Sequence, residues 1–416
     1  MGLKIMLGHY ITNRRIQTVL LLGFSSGLPL ALTGSSLQAW FTQSGVDLLT
    51  IGSLTLLGLP YVWKFLWAPL LDRFIPPFLG RRRGWILLTQ LGLCVAIIIM
   101  ARLNPATQPS IISLVALVIA FISATQDIAT DAYRTDILHS EERGLGAAAV
   151  TLGFRVAMLV SGGLALVMAD YLGWQVTFEM IAGLIGLSIL ATLFAPKETP
   201  CKLPPQSLAT FVVQPFKDLL SRDKIVFILL FVMIYKLGDA LALALMSNFL
   251  LGKLGFSLTD VGIAFKTFGL IATLMGVFVG GIFMVRISLF RALIGFGLLQ
   301  AFSNAMFIVL AMAGKHYFLM VSCIFIESFC SGMSTAAFVA FLMSLCNVKF
   351  SATQYAFLSA LFALGRVFAG PVAAVIVQYA GWINFYWIAF LLSFPGIILL
   401  INLRACVRSN NAEAIA

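Results

Sequence analysis

The sequence predicts an all-α polytopic membrane protein, with twelve transmembrane helices in two pseudo-symmetric bundles of six. Three observations lead there. The 416-residue chain is 61% hydrophobic and only 10% charged, where soluble proteins average about 25% charged. Apolar runs of about 20 residues recur along its length, enough to cross roughly 30 Å of hydrocarbon as helix. A shift of 211 positions lays Gly27, Leu30, Ala31, Leu32 and Ser36 on Gly238, Leu241, Ala242, Leu243 and Ser247, and Arg155-Val156 on Arg366-Val367. Two distant segments agreeing on one shift point to a duplicated six-helix unit. The alternating strands of an outer-membrane barrel are absent.

In order, the spans fall at 17–41, 48–71, 84–103, 110–135, 144–171, 174–195, 224–251, 257–284, 289–313, 316–346, 351–379 and 382–403. Domains are expected at 1–195 and 224–416. Between them 196–223 holds Pro200, Pro204, Pro205 and Pro215 among charges and reads as a linker. A short interfacial helix is expected within it over Ser207–Leu220. Of 27 Lys and Arg, 19 fall in the termini and loops on one side, three (Arg102, Lys253, Lys315) on the other, and five within spans. The positive-inside bias therefore places both termini in the cytoplasm. It also accounts for the net charge of +11 without nucleic acid. The basic stretch before the first span lacks a cleavage site, so that span is expected to be retained.

Span one carries Ser25, Ser26, Gly27, Pro29, Gly34 and Gln38. Its small residues suit close helix packing, and Gln38 is its best candidate ligand. Spans two and three are joined by Asp72-Arg73 and then Gly80-Arg81-Arg82-Arg83-Gly84. An acid at a helix end followed by arginines can clamp neighbouring helices in one conformational state. Asp72, Arg73, Arg81, Arg82 and Arg83 are accordingly gating candidates. Simple anchoring by positive charge explains the arginines equally well. The loop resembles the cytoplasmic motif of the major facilitator superfamily, whose halves are related as parallel repeats.

Span four ends in FISATQDIATDAYRTDI. Asp127, Asp131 and Arg134 share one helix face at i, i+4 and i+7. Ionisable residues at membrane depth point to a functional pathway. Two carboxylates in a poorly solvated site cannot both ionise cheaply, which makes Asp127 and Asp131 candidates for proton coupling. The competing reading pairs Asp131 with Arg134 or with Lys64. Lys64, Arg155, Lys236, Lys266 and Arg366 lie within spans, opposed by Asp127, Asp131, Asp239 and Glu327. Helix rise puts Arg155, Lys236 and Glu327 near the midplane. Lys236 and Asp239, three apart, can neutralise each other. The functional reading is a basic polar cavity for a carboxylate-bearing substrate, lined by Lys64, Arg155, Lys236 and Arg366, with Gln38 and Gln126 as hydrogen-bonding partners. The bland reading is paired structural charge and snorkelling side chains.

The remaining polar residues exclude other chemistry. Cys94, Cys201, Cys323, Cys330, Cys346 and Cys406 form no Cys-x-x-Cys pair, and His9, His139 and His316 are scattered. No metal site, cofactor or enzymatic constellation is expected. Trp40, Trp63, Trp67, Trp85, Trp174 and Trp382 sit near span ends and read mostly as interfacial belts.

A family likeness rests on Ser26-Gly-Leu-Pro-Leu-Ala-Leu-Thr33, Leu37-Gln-Ala-Trp40, Lys64-Phe-Leu-Trp-Ala-Pro69, the Asp72-to-Trp85 loop, Gln126-Asp-Ile, Asp131-Ala, Glu141-Glu-Arg-Gly144 and Ser161-Gly-Gly-Leu-Ala165. These runs resemble the AmpG muropeptide permeases. The likeness is dense over about 20–195 and thin beyond the linker. It implies a bacterial inner-membrane importer of N-acetylglucosaminyl-1,6-anhydro-N-acetylmuramyl peptides, driven by protons and serving cell-wall recycling and β-lactamase induction. Its partners would be the muropeptide, protons and the lipid bilayer, and a monomer is expected. The alternatives are a related carrier of acetyl-CoA or another organic anion, an integral membrane enzyme, and a non-transporting receptor.

Overall fold

The computed structural model describes residues 13–138, 142–197, 217–221, 224–345 and 351–402. Eleven helical stretches among them are long and apolar enough to span a membrane. The first ten are α1 (Arg14–Gln43), α2 (Leu48–Leu66), α3 (Arg81–Ala101), α4 (Pro109–Ile137), α5 (Ala149–Leu172), α6 (Trp174–Phe194), α7 (Ile225–Lys253), α8 (Leu258–Arg286), α9 (Leu289–Ala313) and α10 (Tyr317–Ser344). The last stretch, Phe357–Ile401, is 45 residues long. As one helix it would reach about 68 Å, more than twice the hydrocarbon thickness. Gly381 breaks it, with φ 76° and ψ 170°, a conformation that favours glycine. The stretch is therefore two spans, α11 (351–380) and α12 (382–402), and the chain has the expected twelve.

The same device joins α5 to α6, where Gly173 has φ 81° and ψ 162°. Each glycine precedes a tryptophan, Trp174 or Trp382. The two Gly-Trp turns are 208 positions apart, three fewer than the 211 of the other repeats. The second half is thus three residues shorter between its arginine and its turn.

The helices group into two compact units. One comprises Met1–Val46, Leu57–Leu203 and Ser257–Gly262, the other Asp47–Leu56, Pro204–Phe256 and Ile263–Ala416. Most of the expected linker lies outside the described residues, although 217–220 is helical, matching the end of the helix expected there.

Glycine sets the packing in the first unit. A Cβ on Gly23 would lie 2.7 Å from the Val150 carbonyl oxygen, and one on Gly27 2.6 Å from that of Phe154. So α1 and α5 touch backbone to backbone, as small residues four apart allow. Above that contact both helices widen by a turn, at Leu32–Ser36 and Leu159–Leu164. There the Ser36 hydroxyl donates to the Ser161 carbonyl at 2.6 Å. Ile16, Val19, Leu22, Ile86 and Tyr133 form a core at the α1–α3–α4 end. Trp40 and Trp174 depart from the belt expectation. Both are buried, their rings 6.1 Å apart, and the Trp174 indole donates to Gln43 Oε1 at 2.6 Å. They seal the end of α1 against α6.

In the second unit Phe231, Val232, Phe338 and Phe341 anchor the core, with Tyr235 stacked on Phe338 at 5.4 Å. Here α8 meets α10 closely: a Cβ on Gly280 would lie 3.0 Å from the Met333 Cα. Outward faces stay apolar, as at Leu187 in the first unit and at Phe278 and Val285 in the second, all exposed, which suits lipid contact.

Candidate functional site

Each unit holds a cluster of charged groups within its spans. In the first unit, α4 starts at Pro109, a residue suited to a first helical turn, and runs unbroken to Ile137. This regularity carries the i, i+4, i+7 stripe intact. Lys64, at the end of α2, reaches Asp127 Oδ2 at 3.8 Å and Asp131 Oδ2 at 3.9 Å. Arg134 lies 3.3 Å from Asp131 Oδ1. Both pairings expected for Asp131 therefore occur together. The two acids differ in setting, with side-chain exposures of 16% for Asp127 and 52% for Asp131. Asp127 is the enclosed member, with Lys64 as its cation. Around it the Ser26 and Tyr61 hydroxyls interact with the acid, while the Thr130 hydroxyl and Gln126 Oε1 are buried without hydrogen-bond partners. Buried polar groups are normally paired, so this concentration marks a place built to meet water or a ligand.

Gln126 itself is fully buried. Its amide donates to Ser25 Oγ at 2.9 Å, and Ser25 also accepts from Gln90 at 3.1 Å. Gln90 Oε1 in turn accepts from Thr192 at 2.8 Å. One chain of hydrogen bonds thus ties α1, α3, α4 and α6, and Gln126 holds helices together in this conformation. Gln38 is also buried, at 8% exposure. Arg155, by contrast, is exposed on α5, with no carboxylate within ion-pair distance among the described residues.

The arginine loop clamps helices inside the first unit. Arg82 Nε lies 3.3 Å from Asp136 Oδ2, near the end of α4. Arg83 is 5% exposed and donates to the Thr192 and Leu193 carbonyls at 3.3 and 2.8 Å, closing the C-terminus of α6, where a cation is favoured. Arg14 adds a bond to Phe194 O at 2.6 Å. Arg81 is half-buried. Asp72 and Arg73 end a short helix, Ala68–Arg73, and their side chains lie outside the described set. Just past the end of α3, Arg102 pairs with Glu179, in the second turn of α6, at 3.1 Å.

In the second unit the structure reveals a cluster that the sequence reading only half assembled. Lys236 is 5% exposed and its Nζ sits 3.3 Å from Asp239 Oδ2, the neutralisation expected from their spacing. It also reaches the Ser331 hydroxyl at 3.4 Å. In this conformation Lys236 is committed to protein partners and is not free for a cargo carboxylate. Gln300 of α9 donates to Asp239 Oδ1 at 2.7 Å and to Glu327 Oε1 at 3.3 Å. Glu327 is 2% exposed. Neither Gln300 nor Glu327 was chosen as a site residue from the sequence. The signal was available: Gln300 and Asn304, four apart on one face of an apolar span. Arg366 is exposed on α11 and interacts electrostatically with Asp239. Among the described residues no group of His, Cys, Asp and Glu could hold a metal ion.

Comparison with known proteins places this arrangement. The model of the Major Facilitator Superfamily matches residues 19–314. An anhydromuropeptide permease of Escherichia coli (strain K12) is 52% identical over 391 residues, covering 94% of this chain and 80% of that one. A transporter of the AmpG type from Rickettsia conorii is 34% identical over 94% of this chain and 97% of its own length. The matched stretch therefore extends through the second half as well as the first. Among solved structures, the nucleoside transporter NupG superposes with a TM-score of 0.72 at 13% identity, over 94% of this chain and 98% of that one. A bacterial homologue of the lysosomal transporter Spinster gives 0.73 at 13%, over 96% and 98%. At that identity they show the fold. The protein is a transporter and not an enzyme: it belongs to the anhydromuropeptide permease family of the major facilitator superfamily.

Proposed function

We propose that this protein imports anhydro-muropeptides across a bacterial inner membrane by alternating access, with both termini in the cytoplasm and protons supplying the drive. The observation that carries the reading is 52% identity over 94% of the chain to a permease of that name. The 19-to-3 distribution of Lys and Arg between the two faces supports the orientation. Accessible Arg155 and Arg366 would attract the peptide carboxylates of the cargo. Asp127, enclosed beside Lys64 and among buried hydroxyls, is the first choice for the proton-linked acid. Asp131, with two cations and half its surface exposed, would tune it. Arg82 and Arg83 would keep the first unit rigid, so that it moves as a body while Asp72, Arg73 and Arg81 engage the gate.

The test is uptake of labelled anhydro-muropeptide into vesicles, with and without a proton gradient, alongside acyl-CoA. Gradient-dependent accumulation of the muropeptide alone is the expected result. Accumulation of acyl-CoA instead, or binding with no uptake of either, overturns the proposal.

A further inference from the structure

Glu327 is the most enclosed carboxyl among the described residues of the spans, 2% exposed. Its side chain, on α10, accepts from Gln300 Nε2 at 3.3 Å and from the neighbouring Ser328 hydroxyl at 3.3 Å. Both donors are neutral and both distances are long. Among the described residues no cation lies within 4.0 Å of it; Lys236 has Asp239 as its ion-pair partner. The cluster thus holds two carboxyl groups and one buried cation.

The groups facing Glu327 come from every helix packed around it. From α7 come Lys236 and Asp239, and from α10 itself Cys330, with the Ser331 hydroxyl bonded to Asp239. Arg366 of α11 acts on Asp239. From α9 comes Gln300, which is neutral, with Asn304 one turn further along the same helix. From α8 comes Gly269, against the Ser328 hydroxyl. Gln300 Oε1 and both amide atoms of Asn304 are buried without hydrogen-bond partners, and Asn304 is 0% exposed. The Gln300 amide thus leaves an acceptor beside the acid, and Asn304 leaves a donor and an acceptor one turn along α9, as a proton-bearing site needs when water enters.

We infer that Glu327 carries a second transported proton, in the unit that lacks the α4 stripe, and that Lys236 controls its release by exchanging Asp239 for Glu327. The step balances simply. Glu327 gives its proton to water and becomes a carboxylate. The Lys236 ammonium, which already reaches Ser331 one helical turn further along α10, swings to the new charge. Asp239 then keeps its bonds from Gln300 and Ser331. Reprotonation of Glu327 returns the lysine to Asp239. The inference rests on the transport reading only for what the proton drives, and it adds an acid that neither the sequence motifs nor the α4 stripe supplied.

Infrared difference spectroscopy on the purified full chain tests it without cargo. Among the protonated-carboxyl bands of the wild type, one is expected to be lost in Glu327→Gln and retained in Asp127→Asn and Asp131→Asn. Asp239→Asn is the second variant. With its first partner neutralised, Lys236 turns to Glu327, and the same band should disappear although Glu327 is present. In vesicles, Glu327→Gln is expected to keep cargo exchange and to lose at least tenfold in gradient-driven accumulation. A band unchanged in Glu327→Gln, a band persisting in Asp239→Asn, or an unaltered proton-to-cargo ratio in Glu327→Gln overturns the inference. If the wild type moves no muropeptide, the Proposed function fails, and the spectroscopic result still decides the site.

Discussion

Removing Lys64 separates the two acids of the α4 stripe. The Lys64 ammonium is 3.8 Å from Asp127 and 3.9 Å from Asp131. At an effective dielectric of about 20, each contact corresponds to roughly 4 kcal/mol of bare attraction. Exposure then distinguishes them. Asp131 is 52% exposed and shares Arg134, so solvent and the second cation reduce its coupling to Lys64 below about 1 kcal/mol. Asp127 is 16% exposed, and its coupling should keep about 1–3 kcal/mol, a factor of roughly 5–150. The assay is gradient-driven uptake by Lys64→Met, Asp127→Asn, Asp131→Asn and the two double variants, with cargo exchange reporting folded protein. Lys64→Met alone should fall by that factor. Lys64→Met with Asp127→Asn should be no worse than Asp127→Asn alone, because a charge with no partner costs more than losing both. Lys64→Met with Asp131→Asn should be nearly multiplicative. If instead the Asp127 pair is multiplicative and the Asp131 pair is coupled, the assignment of Asp127 as the enclosed acid is refuted.

Other consequences are equally direct. Gly27→Leu should cost about 1–3 kcal/mol or more, since its Cβ would sit 2.6 Å from the Phe154 carbonyl; thermal unfolding in detergent should show it. Gly183→Ala, with open space around the new carbon, should change stability by less than about 0.5 kcal/mol. Arg83→Ala should cost about 3 kcal/mol through its bonds to the end of α6, and Arg83→Lys should recover part of that; equal stability of all three proteins sinks the clamp. Arg155→Gln and Arg366→Gln should each raise the KM for carboxylate-bearing cargo about tenfold or more and leave an amidated analogue unaffected.

The sequence made the spans legible because bilayer thickness and hydropathy leave few solutions. It also revealed the ion pairs that one helix dictates by itself, Asp131–Arg134 and Lys236–Asp239, each three residues apart. Partners across helices were not legible. Gln126 looked like a ligand, and only the packing of α1, α3 and α4 shows its amide bonded to Ser25. Trp40 looked like a belt residue, until α6 placed Trp174 and Phe178 against it. The repeat was seen at 211 and missed at the Gly-Trp turns, because a loss of three residues moved them off that shift. Glu327 is visible in the sequence as a charge, but that no cation lies within 4.0 Å of it among the described residues is a three-dimensional fact.

The two clusters also answer whether one acid could serve for both. Under the repeat, Asp127 and Asp131 fall on Phe338 and Leu342, both about 2% exposed in the aromatic core of the second unit. An acid there would displace packing that anchors α7 on α10. The carboxyl of α10 sits eleven residues earlier than the equivalent of Asp127, about 16 Å along the helix axis. Measured along its own span, Glu327 lies nearer the start of α10 and Asp127 nearer the end of α4. Each cluster also has its own lysine, Lys64 from α2 in one unit and Lys236 from α7 in the other. Duplicated halves that kept one proton site would show one cluster eroded and its charges removed together. Here both clusters retain a lysine and two carboxyl groups at different depths of their helices, the arrangement expected when each unit handles its own charge. The phenotypes of Asp127→Asn and Glu327→Gln should accordingly add, with no coupling between them beyond about 0.5 kcal/mol.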